Sequence, residues 1–266
     1  MAITALVTPL ARHTLSADVY AQLRDLLTNG RVMPGEQLSL RNIAEALGVS
    51  VMPVREAVHR LVAEQALELS SNRALRVPTM TVSEFREITR IRVNLEGLAT
   101  AESATLFNEA SLQEVEALHE RFSREISLKR PDASRLIAAN RDLHFAVYRQ
   151  AGMPMLLKMI ESLWLRIGPI LNYDLRTGTS RVTEHVPADH HGRLLAALKK
   201  KDAAGAVEAL RADIEGAADY IVSAGVLVAS DSVPEPPTTS ARGKRAGAGD
   251  GQRHRPALSR TEERAT

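Results

Sequence analysis

The sequence has no cysteine, and its aromatic residues are sparse: four Phe, four Tyr and one Trp in 266 residues. Without thiols there are no disulfides, no thiolate nucleophile and no cysteine-ligated zinc. No apolar run approaches the ~20 residues of a membrane span. The opening "MAITALVTPLARH" lacks a basic segment followed by a long apolar core, so no signal peptide is expected, and the protein is read as soluble and cytoplasmic. There is no Ser/His/Asp order, no G-x-S-x-G and no phosphate-binding P-loop, and an enzyme is not expected. Charge of one sign is also missing. The net value is +2, and the first 80 residues are nearly neutral. Any contact with nucleic acid must then depend on where individual arginines sit.

What the chain does have is 44% hydrophobic residues, rich in Ala and Leu. That is enough for one or two packed cores and favours helices over sheets. Val19, Leu23, Leu26 and Leu27 form a helical stripe over 15–29. Gly30, Pro34 and Gly35 end it. In "SLRNIAEALGVSVMPVREAVHRLV", Ser39 is positioned to cap a helix over about 40–47 and Gly48 to stop it. Ser50 then caps a helix over about 51–65, with Pro53 in its first turn. "LELSSNRALRVP" alternates around Ser-Asn-Arg and reads as a β-hairpin. Helix, tight turn, capped helix and hairpin build a winged helix-turn-helix, whose second helix can enter a major groove. The same stretch also fits two ordinary core helices.

From Val82 the pattern is helical. Phe85, Ile88, Ile91, Leu95 and Leu98 mark one long helix, and Ser111 with Glu114 reads as a capping box for the next. Further helices fit about 132–150, 154–173, 181–200 and 203–228, six in this half. The segment 231–266 is rich in Pro, Gly, Ser and Arg with few large apolar residues, and reads as a disordered tail. The fold class is therefore mostly α. Residues 12–80 form a winged helix-turn-helix with a small β-hairpin wing, and residues 82–228 an all-α helical bundle.

Asn140 and His144 share one helix face at i and i+4. His191 and Asp213 lie on two later helices joined by a short turn at Lys201–Asp202, so antiparallel packing brings them level. Four N/O groups converging inside a bundle make a metal site, although a single helical His is more often a surface or core residue. Arg92 has a guanidinium suited to a carboxylate, or it pairs with Glu96 at i+4. Arg166, Asn172 and Tyr173 are further pocket candidates, and Trp164 reads as core or pocket wall. Glu56 and Arg60 read as a surface pair at helical spacing.

The stretch carrying G-x-x-x-P-G-x-x-L, A-x-x-L-G-V-S and P-V-R-E-A-x-x-R-L closely resembles the DNA-binding domain of the GntR family of bacterial transcription regulators. The resemblance implies DNA contacts by Arg41, Ser50 and Arg55, with Asn72 and Arg73 at a wing tip along the minor groove. Val51 and Met52 stand where the family usually has Arg and Thr, and can touch a thymine methyl but cannot hydrogen-bond a base. Ala74 replaces the wing glycine.

Residues 82–228 resemble the FadR-type C-terminal, or FCD, domain in its six-helix variant. Arg92, Leu95 and Glu96 match its R-x-x-L-E opening. Many members hold a divalent metal through Asp or Asn, a His four residues later and two more His. Asn140, His144 and His191 fall on three of those positions, and Asp213 stands at the fourth. More oxygen and less nitrogen favours a harder or weaker-bound ion than tight zinc, leaving Zn, Ni or Mn as candidates. The resemblance implies a homodimeric regulator, usually a repressor, that reads a palindromic double-stranded operator and senses a small carboxylate effector. Two alternatives stay open: a regulator whose effector is the ion itself, and a metal-dependent hydrolase joined to a DNA-binding domain. Glu184 and Asp189 lie near the candidate ligands, but nothing in the sequence marks either as a general base.

Overall fold

The computed structural model describes residues 15–70 and 74–229. The N-terminal part contains α1 (Leu15–Thr28), β1 (Gln37–Leu38), α2 (Leu40–Leu47), α3 (Val51–Ala63), β2 (Glu68–Leu69) and β3 (Leu75–Arg76). Ser39 caps α2 by accepting from the Asn42 N–H, and Gly48 ends it at φ 65°, a left-handed conformation that costs glycine little. Ser50 occupies the cap position of α3, but its hydroxyl makes no cap hydrogen bond. Val19, Leu23 and Leu27 of α1 pack with Val54, Val58 and Leu61 of α3 and with Leu75 and Val77. Leu26, expected in this stripe, is exposed. The wing is a three-stranded antiparallel sheet in the order β1-β3-β2, not a lone hairpin. The extra strand, β1, pairs Gln37 with Arg76 and Leu38 with Leu75.

The helical part runs through α4 (Val82–Leu106), α5 (Glu109–Ile126), α6 (Ala133–Gln150), α7 (Pro154–Leu171), α8 (Tyr173–Thr177), α9 (Ser180–Thr183), α10 (Val186–Lys199) and α11 (Ala203–Ser223). Thr81 and Glu84 form a full capping box at the start of α4. The box expected at Ser111 and Glu114 lies one turn earlier. Asn108 caps α5, and Ser111 is the residue that reaches back to it. The single helix expected over 181–200 is two, α9 and α10, because His185 turns left-handed at φ 58° ahead of Pro187 in the first turn of α10. The two short helices α8 and α9 raise the number in this half from six to eight among the described residues.

α4 buries Phe85 and Ile88 as its apolar residues suggest, but further along it also buries polar side chains in place of apolar ones. Ile91 and Leu98 are exposed, whereas Arg92, Glu96, Thr100 and Ser103 are buried. A polar stripe in a core demands partners, and those partners define the site below. The two halves meet along α1 and α7. Leu165 of α7 joins the N-terminal core. Asn172 donates to the Thr28 carbonyl at 3.0 Å, and Arg176 to the Gly30 carbonyl at 2.5 Å. Val228 closes the junction, donating to the Met80 carbonyl at 3.0 Å. No described helix is long and apolar enough to cross a membrane.

Candidate metal centre and nucleic-acid interface

On the N-terminal half, α3 presents Met52, Arg55 and His59 to solvent, and Arg41 is exposed at the start of α2. This is the surface a recognition helix needs. Met52 is 57% exposed and free to meet a base edge. Val51 instead packs partly against the core, so it has less reach than expected. Asn72 and Arg73 lie outside the described residues. Arg60 does not pair with Glu56. It donates to Glu64 at 3.1 Å and lies 3.7 Å from the centroid of the Tyr20 ring, which fastens α3 to α1.

In the helical half, α6, α10 and α11 bring His144, His191 and Asp213 together, their ligand atoms all within 4.8 Å of one another. His144 Nε2 is 3.3 Å from Asp213 Oδ2, and His191 Nε2 is 3.9 Å from the same oxygen. Ligands ~2.0–2.1 Å from a central ion lie roughly 3.3 Å apart on a tetrahedron, so these spacings suit a shared ion. Asn140, one turn before His144, lines a cavity with His144, Asp213, Arg92 and Trp164, while His191 stands behind its wall. The cavity measures about 30 Å³. At roughly 10–15 Å³ per water, that is room for an ion and one or two small ligands.

The protons in this cluster can be placed. Tyr148 is fully buried, and its pKa is raised well above 10 by burial first and then by the charge of Glu96. It therefore keeps its proton and donates it to Glu96 Oε2 at 2.5 Å. With its only hydrogen committed, the Tyr148 oxygen can only accept from His144 Nδ1, 3.1 Å away. His144 thus carries a hydrogen on Nδ1, and its Nε2 faces the Asp213 carboxylate. A bare lone pair there is repulsive unless a positive charge lies between, either a proton or a metal ion.

His191 bears on that choice. It is 1% exposed, and neither ring nitrogen has a hydrogen-bond partner. Burial, outweighing attraction to Asp213, pushes its pKa down to about 3, so at neutral pH it is an uncharged imidazole. Burial also works against the Asp213 carboxylate, but the hydrogen bond from His144, together with attraction to the surrounding histidines when they are protonated, overcomes it and holds the pKa below its usual value. A neutral imidazole with a free lone pair beside a carboxylate is the state that binds a metal. A proton on His144 would leave His191 unsatisfied, whereas an ion satisfies both.

Arg92 is already engaged. Its Nε lies 2.6 Å and its Nη2 3.2 Å from the two oxygens of Glu96, the pairing at helical spacing, and it sits 5.0 Å from the Trp164 ring centroid. Trp164 also donates to Glu96, at 3.1 Å. Glu96 thus gathers Arg92, Tyr148 and Trp164 beneath the cluster. The other three effector candidates are not at the cavity. Arg166 leaves α7 on another side and lines a gap beside Glu68 and Glu84. Asn172 spends its amide on Thr28 and Gly168, and Tyr173 packs against the helical core. Arg181 of α9, not anticipated from the sequence, does line the cavity. Gly216 makes room for it, since a Cβ there would lie 2.7 Å from the Arg181 guanidinium. Glu184 and Asp189 are exposed.

Residues 15–77 match the family model described as "Bacterial regulatory proteins, gntR family", and residues 87–216 the one described as "FCD domain". The HTH-type transcriptional regulator McbR of Escherichia coli (strain K12) is 36% identical over 193 residues, covering 72% of this chain and 86% of McbR. The chain belongs to the GntR family of bacterial transcription regulators. The solved structure of E. coli McbR/YncC superimposes with a TM-score of 0.74 at 32% identity, covering 80% of this chain and 100% of that one. The HTH-type transcriptional repressor GlaR of the same organism is 28% identical over 211 residues, 74% of this chain and 90% of GlaR. Within this GntR fold, the winged helix is the DNA-binding element and the FCD domain carries the buried His144, His191 and Asp213 cluster.

Proposed function

We propose that this protein is a homodimeric repressor that releases or grips a palindromic operator in response to a small organic acid, and that a divalent ion is held by His144, His191 and Asp213. The observation that carries the metal reading is His191, a fully buried imidazole with two unpartnered nitrogens, 3.9 Å from a carboxylate. Asn140 lines the neighbouring cavity and would add an oxygen. Two nitrogens and one or two oxygens suit Zn, Ni or Mn. When bound, such an ion supplies a fixed positive charge with a position open to a carboxylate oxygen. Arg92, held by Glu96, lines the cavity with Trp164 and Arg181.

The division of labour follows the two halves: 12–80 for DNA, 82–228 for sensing and dimerisation. Two features support pairing of copies. Ile91 and Leu98 are exposed seven residues apart on one face of α4, and α3 of a single copy reads only one half-site. The repressor reading rests on the likeness to GlaR. The cavity of about 30 Å³ favours one alternative, in which the ion is itself the signal, because a multi-carbon acid would need the helices to part.

Selection of binding sites from random DNA, with and without chelator, tests the reading. An inverted repeat whose capture changes with metal or with added acid is expected. Binding without sequence preference contradicts the regulator, and binding indifferent to every metal and acid contradicts the sensor.

A further inference from the structure

A second cleft lies where α1 meets α6 and α7, with a volume of about 280 Å³, approaching the size range of small-molecule sites. The sole Trp, Trp164, forms part of its wall and also of the wall of the buried cavity. Its composition is unusual for this chain. Aromatic residues are rare, yet Tyr20, Phe145 and Trp164 all line this one cleft. Three arginines and three carboxylates line it, but they are not all paired with one another. Arg24 is paired with Glu161 at 3.0 Å. Arg141 reaches Asn29 at 2.9 Å and Asp25 at 3.5 Å, while Asp142 accepts from Arg121 at 2.6 Å. Arg149 has no carboxylate among the described residues. It sits 5.9 Å from the centroid of the Phe145 ring with its guanidinium exposed.

We infer that this cleft is a ligand site for a small aromatic carboxylate. The cleft-facing edges of the three largely buried rings offer contact to a flat apolar body, and the unpaired fork of Arg149 matches a carboxylate. Acetate has too little surface to use the rings, and a neutral aromatic leaves Arg149 unanswered. The site does not depend on the metal cluster, since none of His144, His191 and Asp213 lines it. Its walls come from both halves of the molecule, so an occupant touches α1 of the DNA-binding half and α6 and α7 of the helical half together. Such a ligand favours the arrangement in which those helices are docked, by as much as it prefers that arrangement over an open one.

Calorimetric titration of the full chain tests this, with benzoate as the probe and acetate and benzyl alcohol as controls. Benzoate is expected to bind at least tenfold more tightly than either control and to change the emission of the sole Trp. Arg149→Gln, at an exposed position, is expected to weaken benzoate at least tenfold. Ala21→Leu, which narrows the cleft without altering charge, is expected to do the same. Asp213→Asn, in the buried cluster, is expected to leave benzoate binding unchanged. Equal affinity in wild type and Arg149→Gln, no preference for benzoate over the controls, or loss of binding in Asp213→Asn would each overturn the inference.

Discussion

The Tyr148 hydroxyl stands between Glu96, 2.5 Å away, and His144 Nδ1, 3.1 Å away, and can donate to only one of them. Because it donates to Glu96, it sets which nitrogen of His144 is free to face Asp213. Outer partners of metal-binding histidines typically contribute a factor of ~10–100 in metal affinity. Tyr148→Phe is therefore expected to weaken metal binding by that factor while leaving the fold intact, as read by competition with a chromogenic chelator. An unchanged affinity would remove Tyr148 from the site.

Buried His191 makes stability pH-dependent. Its folded pKa, about 3, lies below the ordinary 6.5, so between those values the unfolded chain holds a proton that the folded chain does not. Stability is therefore lost as pH falls from about 6.5 towards 3, with a slope of up to ~1.4 kcal/mol per pH unit from this one group. Asp213, also held below its usual value, acts with the same sign at the acid end. Chelator-treated wild type is expected to melt at progressively lower temperature below pH 6.5, and His191→Phe to show a flatter profile. Parallel profiles would show that His191 titrates normally.

Gly168 is the contact point between α7 and α1. A Cβ there would lie 2.6 Å from the Leu27 carbonyl oxygen and 2.9 Å from Thr28 Cα, both backbone atoms that cannot swing aside. Gly168→Ala is expected to cost ~1–3 kcal/mol through this overlap. That corresponds to a fall of several degrees in Tm, measurable by thermal melting. A Tm equal to wild type would mean that α1 and α7 are not held this closely.

Arg55 is exposed on α3, so its replacement spares the core. Arg55→Ala is expected to weaken operator binding by ~1–3 kcal/mol and leave Tm unchanged. Met52→Ala is expected to act only on operators with thymine at the contacted position, because an apolar side chain discriminates by the methyl group. Gel-shift titration on operators differing at single positions reads both effects. Equal affinity of Arg55→Ala and wild type would take α3 out of the major groove.

The N-terminal half was largely legible because its elements are punctuated locally: Ser39, Gly48 and Ser50 mark ends, and all but Leu26 of the α1 stripe is buried as expected. Strand β1 was missed because two residues carry no period. In the helical half, the spacing of Asn140 and His144 and the short turn before α11 permitted the grouping and the FCD resemblance singled it out; the structure brings His144, His191 and Asp213 together. The effector candidates fared worse. Arg166 leaves α7 away from the cavity, and Asn172 and Tyr173 follow the end of α7, where the chain turns into α8 and carries them to other partners. Arg181 was invisible, since a lone arginine on a four-residue helix carries no pattern and only Gly216, opposite it, leaves the space. The polar face of α4 misled the core assignment, because Arg92 and Glu96 satisfy each other and are buried in place of Ile91 and Leu98.

If His144, His191 and Asp213 hold an ion, as we propose, the protein carries it through purification. The most direct test is elemental mass spectrometry of untagged wild type beside His144→Ala and Asp213→Asn, each supplied with Zn, Ni and Mn and then desalted. Near one metal ion per protomer in wild type and little in either variant is the predicted result. Wild type that stays empty after supplementation, or variants that retain the metal, would contradict it.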